Sequence, residues 1–211
     1  MGLMSSVSST IIQHIDQHII SMQDTVTPSM AFFYFDFRDE VKRNLRGLLA
    51  SLLVQFSARS DDCCDILSRL YSVHEDGLRQ PSDRILQDCL KDMLRAGKPG
   101  ATYILVDALD ECPTFPGTPS AREKVLDLVK DLVDYPDLRF CITSRPEADI
   151  WTVLQPLASH SVSLHDEMGQ MEDINNYISF FVNSKNDKIS QWRKEERDLV
   201  INKLRKEAAG M

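Results

Sequence analysis

The sequence predicts an α/β fold, a parallel sheet covered by helices. Short apolar runs alternate with longer segments of helical period along the chain, the order that builds a parallel sheet. Tyr103-Ile104-Leu105-Val106 rises from a Gly-Lys-Pro-Gly turn and ends on Asp107, as a central strand with a charged carboxyl end does. A composition of 43% hydrophobic and 27% charged residues over 211 positions is that of one ordinary domain, with room for an appendage.

Val7, Ile11, Ile12, Ile15, Ile19 and Ile20 recur at helical spacing and predict an amphipathic helix over residues 6–22, closed by the stretch holding Pro28. Residues 30–37 are short, aromatic and bounded by charges, which favours a buried strand. Three helices follow. Leu45, Leu48, Leu49, Leu52, Leu53 and Phe56 stripe residues 41–58, and Ile66, Leu67, Leu70 and Tyr71 stripe 64–74. Ser82 caps the third, which turns Leu86, Cys89, Leu90 and Met93 inward and stops at Gly97.

After the strand ending on Asp107 comes a loop, 113–119, then a helix over 120–134 with Ser120 as cap and Glu123 closing a capping box. Residues 138–143 read as a second apolar strand ending at Ser144-Arg145-Pro146. A short helix at 148–154, a strand at 159–164, and helices at 170–182 and 190–209 complete the chain. Residues 183–187 are the best linker, dividing a sheet domain (1–183) from the start of a helical extension (184–211).

The formal charge is −8, from 24 basic and 32 acidic residues, without a basic cluster, so no nucleic-acid partner is expected. No apolar run approaches the roughly 18–20 residues of a bilayer-spanning helix, and no membrane partner is expected. Met1-Gly2 through Ser6 matches an acylation pattern by chance, since no basic residue precedes Arg38 to supply a second anchor. Cysteines at 63, 64, 89, 112 and 141 form no C-x-x-C pair, which fits reduced thiols in the cytoplasm. His14 and His18 lack the Glu of H-E-x-x-H and read as polar-face residues, not zinc ligands.

Ligands of open parallel sheets bind at the carboxyl ends of strands. One such end is Asp107-Ala108-Leu109-Asp110-Glu111, a carboxylate at the strand tip and two more in the following turn. Phosphoanhydride hydrolysis needs that division: one carboxylate for Mg²⁺, another to orient water, and a small residue such as Ala108 for close backbone approach. Asp107 takes the metal role and Asp110 or Glu111 the water role. The other end, Thr143-Ser144-Arg145, offers hydroxyls and a guanidinium suited to sensing a terminal phosphate. No Ser/His/Asp or Cys/His arrangement stands at a motif-supported spacing.

Together, D-A-L-D-E and I-T-S-R-P resemble the Walker B and sensor-one elements of NACHT-type STAND signalling NTPases. A-F-F-Y-F-D-F-R-D, L-L-A-S-L-L-V-Q-F-S, C-C-D-I-L-S-R-L-Y and L-A-S-H-S-V-S-L-H extend the likeness to the fungal subgroup with a nephrocystin-3-like N-terminal module. The resemblance implies a P-loop NTPase core with helices on both faces, Mg²⁺ with ATP or GTP as cofactors, and homo-oligomers formed through that core. It also implies effector and repeat-sensor domains beyond these residues. It makes Asp107 the Walker B metal residue, Asp110 and Glu111 the acidic pair, Thr143 and Arg145 the sensor-one contacts, and Ser5 the position nearest the phosphate-loop Ser/Thr, with Met4 where its lysine belongs.

The chain departs from the family here. No G-x-x-x-x-G-K-[ST] occurs, and neither Lys nor Arg precedes Arg38, so both the backbone nest and the phosphate-bridging cation are missing. A lost charge-assisted contact to buried phosphate costs about 2–5 kcal/mol, which predicts a chain not competent for hydrolysis alone. The expected fold is therefore an incomplete P-loop NTPase sheet lacking the Walker A strand, with marginal stability or aggregation. A nucleotide-independent interaction or oligomerisation module derived from an NTPase is the alternative reading.

Overall fold

The apolar run ending on Asp107 is the middle strand of a three-stranded parallel sheet in a computed structural model that describes residues 2–21, 28–96, 100–114, 119–163, 168–183 and 192–208. The strand order is β1 (Ser29–Tyr34), β2 (Thr102–Asp107), β3 (Leu138–Ile142). Ser29 stands beside Thr102, and Thr102 beside Leu138. Parallel neighbours need crossovers, and helices supply them. After α1 (Gly2–Ser21), α2 (Leu45–Ser57), α3 (Asp61–Val73) and α4 (Asp83–Ala96) lead from β1 to β2, and α5 (Ala121–Leu132) leads from β2 to β3. α6 (Ala148–Leu154) follows β3.

Side chains alternate across a strand, so the register sorts them into two faces. Ala31, Phe33, Ile104 and Val106 share one face and enter a single core with Leu48, Leu49 and Leu52 of α2, Leu90 and Met93 of α4, and Val125 and Leu128 of α5. Met30, Leu105 and Asp107, all buried, share the other. α1 lies against β1 and β2, and its Ser9 hydroxyl bonds to Tyr34 on that second face. Helices therefore cover both faces.

The expected capping box of α5 is present: Glu123 N donates to Ser120 Oγ at 3.2 Å, and Ser120 N donates to Glu123 Oε2 at 2.6 Å. Two helices start elsewhere than the apolar stripes predict. α2 begins at Leu45, not 41, because Glu40–Lys42 form a separate 3₁₀ turn and Asn44 Oδ1 accepts the Gly47 amide as cap. A Cβ on Gly47 would stand 1.7 Å from the Val41 carbonyl oxygen, so only glycine admits this turn. α3 begins at Asp61, where Ser60 caps and two aspartates face the positive end of the helix dipole.

The strand predicted over 159–164 does not form: residues 159–163 are exposed and irregular, and Leu164 lies outside the described residues. Val162 is 72% exposed, and no backbone ladder partner reaches residues 159–163 among the described residues. A strand needs both a ladder and a buried face, and this segment has neither.

Contacts divide the chain into Met1–Ala158 and Ser159–Met211. In the second unit α7 (Met168–Asn183) and α8 (Lys194–Ala208) pack on each other, and Arg205 donates to Ser179 Oγ at 2.8 Å. Of the linker expected at 183–187, Asn183 ends α7 and the rest lies outside the described residues. No helix among the described residues is long and apolar enough to cross a membrane.

Candidate functional site

The carboxyl ends of β2 and β3 are stitched together by one threonine. Thr143 follows β3, and its amide donates to the Val106 carbonyl at 2.9 Å. Its carbonyl accepts the Leu109 amide at 3.0 Å, and its Oγ1 accepts the Ala108 amide at 3.1 Å. The same hydroxyl donates to Asp107 Oδ1. Asp107 is only 4% exposed, and this charge-assisted bond is part of what lets a carboxylate sit at the end of a buried apolar strand.

Beyond Asp107 the chain turns sharply. Ala108 adopts the left-handed conformation (φ 54°, ψ 47°), and Leu109–Glu111 form a 3₁₀ turn anchored by Leu109, which is fully buried. The small residue expected for close backbone approach thus serves a different need, since a left-handed φ is cheaper for Ala than for a bulky or β-branched side chain.

The turn sends its two acids apart. The Asp110 side chain, 8% exposed, accepts the Arg145 amide at 3.0 Å and faces the Arg145 guanidinium at 3.4 Å. Glu111 Oε2 instead accepts the Phe37 amide at 3.3 Å, beyond the end of β1. The structure therefore brings Asp107, Thr143, Asp110 and Arg145 together across the β2 and β3 ends and turns Glu111 toward β1. Ser5 lies in α1, and its side chain is outside those described.

Two residues of this region escaped the sequence reading. Arg122, in the first turn of α5, is 7% exposed; its Nε donates to the Cys112 carbonyl at 2.9 Å and its Nη2 to the Asp110 carbonyl at 2.6 Å. Its Nη1 pairs with the Asp149 carboxylate at 3.1 Å, so one cation ties the acidic turn to α5 and α6. The available signal was its position: a cation in a first helical turn opposes the dipole and wants another role. Cys112, fully buried beside it, donates its thiol to the Arg43 carbonyl, and burial pushes that thiol up to about 12.

The second is Tyr34, in register with Asp107 at the end of β1. Burial, reinforced by the Asp107 charge, raises its pKa above the ordinary tyrosine value.

Among the described residues no three His, Cys, Asp or Glu side chains gather as metal ligands. A hydrated Mg²⁺ needs less, one or two hard oxygens held through water, and the Asp107 carboxylate with the Thr143 hydroxyl is such a donor set. Among the described residues, the exposed cations Arg145 and Arg38 near these strand ends are paired to Asp110 and Asp36, and no phosphate-loop motif occurs in the sequence. The donor set present suits a hydrated Mg²⁺.

The family described as nephrocystin 3, N-terminal, matches residues 4–145, which include every part of this site except its supporting Asp149. No curated protein and no solved structure matches the chain.

Proposed function

We propose that this chain, which belongs to the nephrocystin 3 N-terminal family, is the core of a NACHT-type nucleotide-dependent signalling switch and does not hydrolyse nucleotide by itself. The observation that carries the reading is the bonded strand-end pair in which Thr143 holds Asp107 and Asp110 holds Arg145. Carboxyl ends of adjacent parallel strands are where an α/β sheet receives ligands. Mg²⁺, when bound there, would supply positive charge that neutralises phosphate oxygens. In this role Asp107 is the metal-side carboxylate, Thr143 orients it, and Asp110 keeps the Arg145 guanidinium at the mouth of the site. In this reading the Arg145 guanidinium, 71% exposed along its side chain, would meet an incoming anion.

Titration with Mg²⁺ followed by amide resonances tests this. Ala108, Leu109 and Thr143 shift with millimolar affinity, and Asp107→Asn abolishes the response. Calorimetry with Mg-ATP or Mg-GTP shows no micromolar binding. Tight nucleotide binding by this chain overturns the claim of incompetence, and strand-end amides indifferent to Mg²⁺ overturn the site.

A nucleotide-independent interaction module is the second reading. Each acidic side chain of the D-A-L-D-E turn already has a protein partner, an arrangement that serves a rigid scaffold as well as a site awaiting ligand.

A further inference from the structure

In the run Ala31-Phe32-Phe33-Tyr34-Phe35 the only polar side-chain atom is the Tyr34 hydroxyl. The parallel register sets Tyr34 beside Asp107, and the Thr143 amide carries the pairing of β2 with β3 one step past Ile142. Side chains alternate across strands, so Tyr34, Asp107 and Thr143 form a row over the three strand ends, on the face where α1 lies. The row beneath it is Phe32, Leu105 and Cys141, which carries no side-chain oxygen. This face of the sheet thus changes from apolar to oxygen-lined at its last row. Phenylalanine, already present at 32, 33 and 35, would fill the space at 34, so the hydroxyl is what that position adds.

Asp107, at the centre of the row, is buried, and Tyr34 and Thr143 flank it half-buried. Thr143 approaches from β3 and bonds the carboxylate directly. Tyr34 stands on β1, about 4.8 Å away across the sheet, and its longer side chain carries the hydroxyl farther from the backbone than the carboxylate reaches. Ser9 of α1 bonds that hydroxyl. With its proton turned to Ser9, the phenol oxygen keeps its lone pairs for a donor. Waters bound to Mg²⁺ are such donors, because the ion polarises them and sheds them reluctantly.

We propose that Tyr34 is the third oxygen of the cation site: its hydroxyl accepts a hydrogen bond from a water of Mg²⁺ held at Asp107 and so positions the hydrated ion over the ends of β1 and β2. The proposal rests on the reading of Asp107 as the metal-side carboxylate and gives that site a wall on β1. A carboxylate, an aliphatic hydroxyl and a phenol are all hard oxygens, the donor type that a hydrated Mg²⁺ takes. Ser9 acts through Tyr34, as the residue that orients its hydroxyl.

Tyr34→Phe keeps the ring and its edge-to-face contact with Phe32 at 5.6 Å between centroids, and deletes only the oxygen. In the full chain this variant is expected to leave the metal-free amide resonances of Ala108 and Thr143 in place and to weaken their response to Mg²⁺ about fivefold in affinity. Ser9→Ala, which releases the phenol proton to turn toward the site, weakens it in the same direction. Hexaamminecobalt(III), an exchange-inert stand-in for hydrated Mg²⁺, supplies a signature that a merely structural tyrosine does not give. Its ammine protons are expected to show nuclear Overhauser contacts to the Tyr34 ring as well as to the Ala108 amide. Equal Mg²⁺ affinity in Tyr34→Phe and the unsubstituted chain overturns the role of Tyr34 and leaves the Asp107 reading standing, as do ammine contacts that reach Ala108 but not the ring. Metal-free Ala108 and Thr143 amides displaced by Tyr34→Phe also overturn it, because the hydroxyl would then act through the fold. An unsubstituted chain indifferent to Mg²⁺ overturns the Asp107 reading and this proposal with it.

Discussion

The Thr143 hydroxyl stands between two groups of the neighbouring strand, donating to the Asp107 carboxylate and accepting the Ala108 amide at 3.1 Å. A single side chain thus satisfies both a buried anion and the first amide of a left-handed turn. The position of Asp107 at the sheet end and the direction in which the D-A-L-D-E turn leaves the strand have one common support.

Replacing Thr143 by valine keeps the shape and deletes that support. A hydrogen bond to a buried charge contributes about 1.5–3 kcal/mol, so Thr143→Val lowers unfolding free energy by roughly that amount in urea titrations. Thr143→Ser, which keeps the hydroxyl, loses well under half as much. Equal losses in the two variants would show that the methyl group, not the hydrogen bond, matters.

Arg122 and Asp149 form an ion pair, yet their removal has unequal consequences. Arg122 is buried and satisfies two carbonyls besides the carboxylate, whereas the Asp149 side chain is 46% exposed. Arg122→Met leaves the Asp110 and Cys112 carbonyls without their charged donor and costs about 3 kcal/mol. Asp149→Asn breaks a solvent-screened contact and costs under about 1 kcal/mol. Parallel denaturation of the two variants checks the ratio, and equal effects contradict the account.

What could be read from the sequence follows from which interactions are local. The β2 core run, the Ser120 capping box and the stripe of α2 each announce themselves within one turn or one strand, and all three form as expected. Helix starts shifted where a cap, Asn44 or Ser60, overrode the apolar stripe. Residues 159–163 carry a strand-like alternation but no pairing partner among the described residues, and pairing is a long-range property. In the site, the two strand ends that carry Asp107 and Asp110, and Thr143 and Arg145, were legible. The bonds that pair them, and the roles of Arg122 and Gln55, were not, because a side-chain partner on another element leaves no periodic or motif signal.

The buried thiols make stability pH-dependent on the alkaline side. Burial raises Cys112 to about 12 and Cys89 to about 11, against about 9 for an ordinary thiol. Between those values the unfolded chain has released its thiol protons and the native chain retains them, so rising pH favours unfolding. Unfolding free energy is therefore unaffected by these thiols below about pH 8 and falls progressively from about pH 9 to 12. Cys112→Ala flattens part of that slope in urea titrations taken across the range. In the native chain at neutral pH, exposed Cys64 reacts with a thiol reagent well before Cys63, Cys89 and Cys112, which are buried.

Gln55 makes a prediction about the outer side of β1. Its carboxamide takes the place of a fourth strand on Phe32, and it is itself steadied by Ser51, whose Oγ accepts Nε2 at 3.0 Å. Gln55→Leu keeps the bulk of the side chain but returns the Phe32 amide and carbonyl to solvent, at a stability cost of about 1–2 kcal/mol. Urea titration checks the loss, and an unchanged midpoint would show that the carboxamide does not support the strand.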